Sequence, residues 1–307
     1  MIATRAEPEP RPILPLAGGL PGRYEDDRVV VDRARGDRGR RPFGWVRTQH
    51  FEVGRQGHRI HVVHCLPTSR IDDDLTGLLA AELFDPGWVS GTDAFERIFT
   101  GVVRSSLDDP LDGWELFYRN TLDRLRQPPP VRPASYGTID GYRPVYQRAI
   151  SLVPPGEVLE LGCCFGFLSL QLAGRDDVHV LASDVSAGTV SLLDAMAQRL
   201  DADVRTLVAD AARVPLPDRH VDTVLAVHLL EHLGDEDAAA AMMAEVLRLA
   251  RQRVVIAVPF EAEPAADMGH VRVFDLESLA ALAVELPSAW RATVSAHHGG
   301  WLVIDRM

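Results

Sequence analysis

The chain has 307 residues, of which 46% are hydrophobic, and a formal net charge of −12. That length buries a full core and exceeds one average domain. The excess of negative charge argues against a nucleic-acid partner, because binding along a phosphate backbone relies on clustered positive charge.

No apolar run reaches the roughly 20 residues that span a bilayer, and charges and prolines stand where a signal peptide would need an apolar core. Three cysteines, two of them adjacent, cannot build a disulfide framework. A cytoplasmic enzyme is the expectation. All 32 basic residues are arginine and Asn120 is the single asparagine, a bias that fits a GC-rich coding sequence better than a function.

Residues 1–27 carry Pro8, Pro10, Pro12, Pro15 and Pro21 and read as a disordered tail. Arg28 to Arg33, Val46 to Val53 and Arg59 to Leu66 have the β-branched content of strands, with Gly54 and Gly57 marking a hairpin turn. Helical patterns follow at Asp73–Phe84, Thr92–Val103 and Leu111–Leu125. Thr92 or Asp93 is the expected cap of the second, and Asp109-Pro110 opens the third. The acidic run Asp72–Asp74 reads as the solvated start of a helix. Trp88, Trp114, Phe117 and Tyr118 read as core, with a sugar-stacking platform as the other use. Gln127 to Pro133 is a stiff linker. Residues 28–134 thus read as an α+β accessory region that covers a pocket or makes a homodimer contact.

From Ser135 onward the pattern becomes regular. A helix to Leu152 precedes the strand Val158–Leu161, and Gly162 and Gly166 then form a turn before a helical pattern beginning at Phe167. A strand, a glycine turn and a helix start let backbone approach a ligand closely. A dinucleotide fingerprint would place glycine where Cys164 stands, and Glu160 would repel a pyrophosphate. A carboxylate there suits a cationic ligand instead. Strands at Val178–Ser183, Val204–Val208, Val221–Val227 and Arg253–Pro259 alternate with helical stretches at Ala187–Leu200, Asp235–Ala250 and Phe274–Leu286. Trp290–Ala296 and Trp301–Ile304 close the chain as an antiparallel hairpin. Such alternation predicts an α/β fold with an open, mostly parallel, Rossmann-like sheet. Ligands on these sheets bind at the carboxyl ends of the strands, where Glu160, Asp184, Asp210 and His228 fall.

The stretches VLELGCCFGFL, LASDVS, VADAARVPLPDRHVDTVLAVHLLEHL and HVRVFDLESL make residues 135–307 resemble a class I S-adenosylmethionine-dependent methyltransferase. The resemblance implies that Glu160 and Gly162 hold the methionine end of S-adenosylmethionine, Asp184 the ribose, and Asp210 with Ala211 the adenine. The implied cofactor-contacting set is Glu160, Gly162, Cys164, Gly166, Asp184, Val185, Asp210, Ala211 and His228. Cys164 departs from the family's usual glycine, and its Cβ would crowd the cofactor. More narrowly, SGTDAFERIFTGVVRSSLDDP, joined through SYGTIDGYRPVY to CCFGFL, is similar to the mycofactocin oligosaccharide methyltransferases. That similarity implies methylation of a glucose hydroxyl on the sugar chain of a peptide-derived redox cofactor.

A sugar hydroxyl is a weak nucleophile near neutral pH, so a general base is expected. His270, His232 and Glu231 are the candidates, and His232 would share a helical face with His228 if the segment coils there. The acceptor is a small molecule or an oligosaccharide. The alternatives are C- or N-methylation of a quinone-like or other small metabolite, and an inactive scaffold that keeps the cofactor fold. No metal site is assigned, because His61 and His64 point to opposite faces of their strand. Cys163 and Cys164 read as small packing residues rather than reactive thiols.

Overall fold

In a computed structural model the described residues are 15–16, 20–34, 36, 43–128, 137–234, 236–265 and 269–307. Most of the tail 1–27 and residues 129–133 of the expected linker lie outside them. The chain falls into two compact units, Met1–Ile71 with Leu78–Trp114, and Asp72–Gly77 with Glu115–Met307.

The first unit holds a five-stranded sheet built from β1 (Arg23–Glu25), β2 (Val29–Arg33), β3 (Val46–Arg47), β4 (Phe51–Gln56) and β5 (Arg59–His64), in the order β1-β2-β5-β4-β3. β2 and β5 run parallel, while the remaining pairs are antiparallel. The expected strand Val46–Val53 is two strands, because Thr48 turns the chain: its N–H and hydroxyl both donate to the Phe51 carbonyl. Gly57 (φ 63°) makes the tight β4–β5 turn, whereas Gly54 lies inside β4 opposite His61. Helix α1 (Leu75–Leu79) continues through one wider turn to Phe84. Helix α2 (Thr92–Ser105) starts after Gly91 (φ 95°) with no side-chain cap, so neither Thr92 nor Asp93 has the expected role. Asp93 instead pairs with Arg97 at 2.9 Å, and Arg97, 1% exposed, also reaches Asp26 at 2.7 Å. A Cβ at Gly101 would strike Val31, so the mid-helix glycine lets α2 lie close to β2. Trp88 is half exposed and is not core, whereas Trp114 is buried as expected.

Helix α3 (Pro110–Arg126) opens on Asp109-Pro110 as expected, and its second half belongs to the other unit. That unit contains α4 (Thr138–Leu152), β6 (Gly156–Leu161), α5 (Phe167–Leu172), β7 (Val178–Asp184), α6 (Ala187–Arg199) and β8 (Val204–Val208). It continues through β9 (Val221–Val227), α7 (Glu236–Leu249), β10 (Ala250–Val258), α8 (Leu276–Val284), β11 (Trp290–Ala296) and β12 (Gly300–Arg306). The sheet order is β11-β12-β10-β9-β6-β7-β8. Only β12 runs against the other strands, paired antiparallel to both β10 and β11. This is the α/β, Rossmann-like, mostly parallel sheet with a closing hairpin that the alternating pattern predicts.

The central strands are apolar on both faces because helices cover both. Val224, Leu225, Val254, Val255 and Ile256 are fully buried. The sheet order reverses between β6 and β9: β7 and β8 lie to one side, β9 and β10 to the other. Loops that leave the carboxyl ends of β6 and β9 therefore diverge, and the crevice they leave is where such sheets take ligands. No helix among the described residues is long and apolar enough to cross a membrane.

Candidate active site

The backbone after β6 sets the geometry. Gly162 (φ 65°), Cys164 (φ 48°) and Gly166 (φ 74°) all lie in the left-handed region, so the chain coils tightly before α5 begins. At φ 65° the Gly162 position favours glycine, and a Cβ there would come within 2.7 Å of Leu229 Cδ1, which would have to shift. Cys164 occupies the same backbone region with a side chain, at a cost of about 1 kcal/mol. Its N–H donates to Asp184 Oδ2 at 3.1 Å, while Asp184 Oδ1 accepts from the Ser186 N–H at 2.9 Å. Asp184 thus ties the end of β7 to the turn after β6 and keeps lone pairs for a further donor.

Glu160 lies one residue before the end of β6 and is 4% exposed. It accepts from the Ser169 hydroxyl, but no cation pairs with it among the described residues. Burial pushes its carboxyl up to about 7. It borders a cavity of about 260 Å³ whose walls include Gly162, Cys164, Phe165 and Gly166. Cys164 opens into this space, where the surrounding protein and Asp184 push its thiol up to about 12, so the sulfur stays protonated. Burial raises the Cys163 thiol as well. Neither sulfur is poised as a nucleophile.

The far wall comes from α4 and from the segment before α1. Tyr142 and Tyr146 are spaced one helical turn apart, with rings stacked at 5.5 Å. Asp73, Thr76 and Thr138 supply polar atoms beside them. Asp72 to Asp74 are not a solvated helix start. Asp72 and Asp74 are buried and both pair with Arg124, at 2.8 and 2.7 Å. Asp74 also accepts from the Ile139 N–H at 3.0 Å, which fixes the start of α4. Asp73, half-buried between them, borders the cavity, and burial together with its two acidic neighbours pushes it up to about 7.

Histidines close the third side. His228 follows β9 with φ 53°, and its N–H donates to the Ala257 carbonyl at 2.9 Å. The left-handed backbone prevents an α-turn from His228 to His232; the chain instead makes a short 3₁₀ turn over Leu230–His232. Both rings nevertheless reach the same cavity, together with His270. Burial pushes His228 down to about 4, so its ring is neutral at physiological pH. His232 Nδ1 lies 3.1 Å from the Gly269 carbonyl and His270 Nδ1 2.8 Å from Glu261, and the two rings meet edge to face at 4.8 Å. The Val271 N–H donates to the Glu231 carbonyl at 2.9 Å, which holds the loop carrying His270 against the 3₁₀ turn. Glu231 itself is fully buried.

Asp184, Val185, Asp210 and Ala211 are not among the cavity walls. They lie at and past the ends of β7 and β8, with Val185 73% exposed and Asp210 accepting from the Ala212 N–H at 2.9 Å. Cavity groups that residue patterns miss are Asp73, Tyr142 and Tyr146, and they miss Glu261, which holds His270 from outside the lining. The one-turn spacing of the two tyrosines is visible in the sequence. Asp73 is hidden because its neighbours' partner, Arg124, is some fifty residues away.

Residues 158–253 match the family model described as a methyltransferase domain. Over 140 residues the chain is 29% identical to ajmaline N-methyltransferase of Rauvolfia serpentina, covering 41% of this chain and 47% of that one. Over 93 residues it is 32% identical to 27-O-demethylrifamycin SV methyltransferase of Amycolatopsis mediterranei, covering 30% and 34%. The chain therefore spans about half or less of the curated relatives it matches. Among solved structures it is similar to magnesium protoporphyrin IX methyltransferase of Synechocystis with bound S-adenosylhomocysteine. There the TM-score is 0.46 and the identity 17%, over 62% of this chain and 94% of that one.

Proposed function

We propose that the chain methylates a hydroxyl group of a small polar acceptor, with S-adenosylmethionine as donor. The acceptor is a sugar, and the narrower resemblance points to a glucose of the mycofactocin oligosaccharide. The observation that carries this reading is the convergence of His232 and His270 with a polar and aromatic wall on one cavity, with a carboxylate oxygen of buried Glu231 within 4.8 Å of a ring nitrogen of each. An amine acceptor such as that named for the Rauvolfia relative has its own lone pair. A hydroxyl must lose a proton, and this group of side chains provides for that loss.

The residues present fit the donor. Glu160 is a buried carboxyl on the cavity with no cationic partner among the described residues, and the donor's ammonium group supplies one. S-adenosylmethionine brings a methyl group activated by its sulfonium, and transfer to oxygen leaves a neutral thioether. The chain's own task is to orient and to exclude water. Gly162, with no side chain, lets the methionine end approach β6. In this reading Asp184 would accept from the ribose hydroxyls and Asp210 with Ala211 would hold the adenine, at the carboxyl ends of β7 and β8. Tyr142 and Tyr146 offer ring faces against which a pyranose stacks. Asp73, Thr76 and Thr138 offer acceptors and donors for its other hydroxyls.

The test is incubation with labelled donor and a panel of glucosides, amines and quinols, scored by mass for a methyl increment. Methylated glucoside is the expected product. Methylation of amines or quinols alone would replace the sugar reading with the N- or C-methyl alternative. His270→Gln and Glu231→Gln are each expected to lower turnover by about 100-fold while leaving the donor Kd unchanged.

A further inference from the structure

Glu231 is an anomaly as a general base. Its side chain is fully buried, yet neither Oε1 nor Oε2 has a hydrogen-bond partner among the described residues. A carboxylate in that state is costly unless a cation meets it. Arginine is this chain's only strong cationic side chain, and none pairs with Glu231 among the described residues. His228 Nδ1 is 3.9 Å from Oε1, too far to bond.

The two histidines beside it are arranged in a specific way. Each has its Nδ1 committed to an outer acceptor: His232 to the Gly269 carbonyl, and His270 to the Glu261 carboxylate. Each therefore presents Nε2 inward. Metal-bound histidines are held in this manner, with the second nitrogen on a carbonyl or carboxylate that sets the tautomer and fixes the ring. One ligand atom from each of Glu231, His232 and His270 lies within 4.8 Å of the others. Metal bonds of about 2.1 Å place donors roughly 3 to 3.6 Å apart, so the three need close by roughly 1 to 2 Å.

We infer that Glu231, His232 and His270 form a three-donor site for one divalent transition-metal cation, whose open position faces the cavity and takes the acceptor's oxygen. The cation's role toward the acceptor rests on the methyltransferase reading; the site itself does not. Two imidazoles and one carboxylate favour zinc, manganese, iron or cobalt over magnesium, which prefers oxygen donors and keeps its waters. An oxygen bound to such an ion loses its proton more readily, so the ligand set replaces a free base at this end of the cavity. The three residues come from a 3₁₀ turn and a separate loop, held together by the Val271 to Glu231 backbone bond. His297 and His298, exposed with rings 4.8 Å apart, are a competing surface pair without a carboxylate, so the variants below are needed to locate the ion.

The experiment is titration of Co²⁺ into chelator-treated full-length protein, followed by visible absorption, with S-adenosylmethionine binding measured separately by calorimetry. One Co²⁺ per chain with ligand-field bands is expected, displaced by Zn²⁺ and not by Mg²⁺. Glu261→Gln, which leaves all three donors in place, is expected to weaken Co²⁺ binding 10- to 100-fold. Glu231→Gln with His270→Gln should abolish the bands while circular dichroism and donor binding persist. Absence of bands in the wild type, or bands unchanged in the double variant, overturns the site. Co²⁺ binding without S-adenosylmethionine binding would overturn the donor reading alone.

Discussion

Glu160 illustrates how one residue links burial to ligand chemistry. Its carboxyl is pushed up to about 7, mainly by loss of water, and an ammonium ligand must meet it ionised. Donor affinity should therefore be flat above pH 7 and fall about tenfold per unit below it. Calorimetry from pH 5.5 to 8.5 checks this, and Glu160→Gln should bind weakly and without the pH slope. A slope retained in that variant would move the ammonium elsewhere. Asp184 holds the Cys164 and Ser186 N–H groups, and the proposed function gives it the ribose hydroxyls as well. Asp184→Ala should abolish donor binding, and Asp184→Asn, which keeps one acceptor oxygen, should restore part of it. Cys164 is held at φ 48°. Cys164→Gly removes that strain against glycine's greater entropy on unfolding, for a net gain of up to about 1 kcal/mol in urea unfolding.

Among elements, α3 matters most to the site although it contributes no cavity wall. Phe117 and Tyr118 are fully buried and pack on Phe165 and Phe167, at ring separations between 5.1 and 6.4 Å. These aromatics pack against the turn that follows β6 and the start of α5. Phe117→Ala should cost about 3 to 5 kcal/mol and weaken donor binding with it, because the turn loses its backing. A stability loss with unchanged affinity would show that the turn holds itself. Arg124 from the same helix neutralises Asp72 and Asp74. Arg124→Met leaves two buried carboxylates unpaired at a cost near 3 kcal/mol.

At the scale of the whole molecule, acid sensitivity has an identifiable source in the accessory unit. His64 is fully buried, with Nε2 at 3.0 Å from the Ser105 hydroxyl and Nδ1 without a partner among the described residues. Burial pushes it down to about 3, against 6.5 for the free side chain. The unfolded chain binds the proton first, so stability is full above about pH 6.5 and is lost as pH falls toward 3. The loss amounts to a few kcal/mol, read from urea midpoints between pH 7 and 4. His64→Gln should flatten that dependence.

Several features were legible in the sequence because they are local. Period-2 and period-3.6 patterning, the Gly162 and Gly166 turn and the acids at strand ends are set within a few residues. They determined the parallel sheet and pointed to a cationic ligand at its edge. Short polar runs misled wherever a distant residue changed their meaning. Thr92 and Asp93 form a standard cap signal, yet Arg97 takes Asp93 and Gly91 starts the helix. Asp72 to Asp74 look solvated until Arg124 arrives from another helix. The segment from His228 to His232 has helical spacing, but the left-handed His228 turns it into a 3₁₀ corner. Glu231, His232 and His270 stood out singly as bases. Their meeting around an unpaired buried carboxylate depends on a loop returning from residue 270. Only the tertiary structure decided that, because burial and charge pairing are properties of neighbours in space, not in sequence.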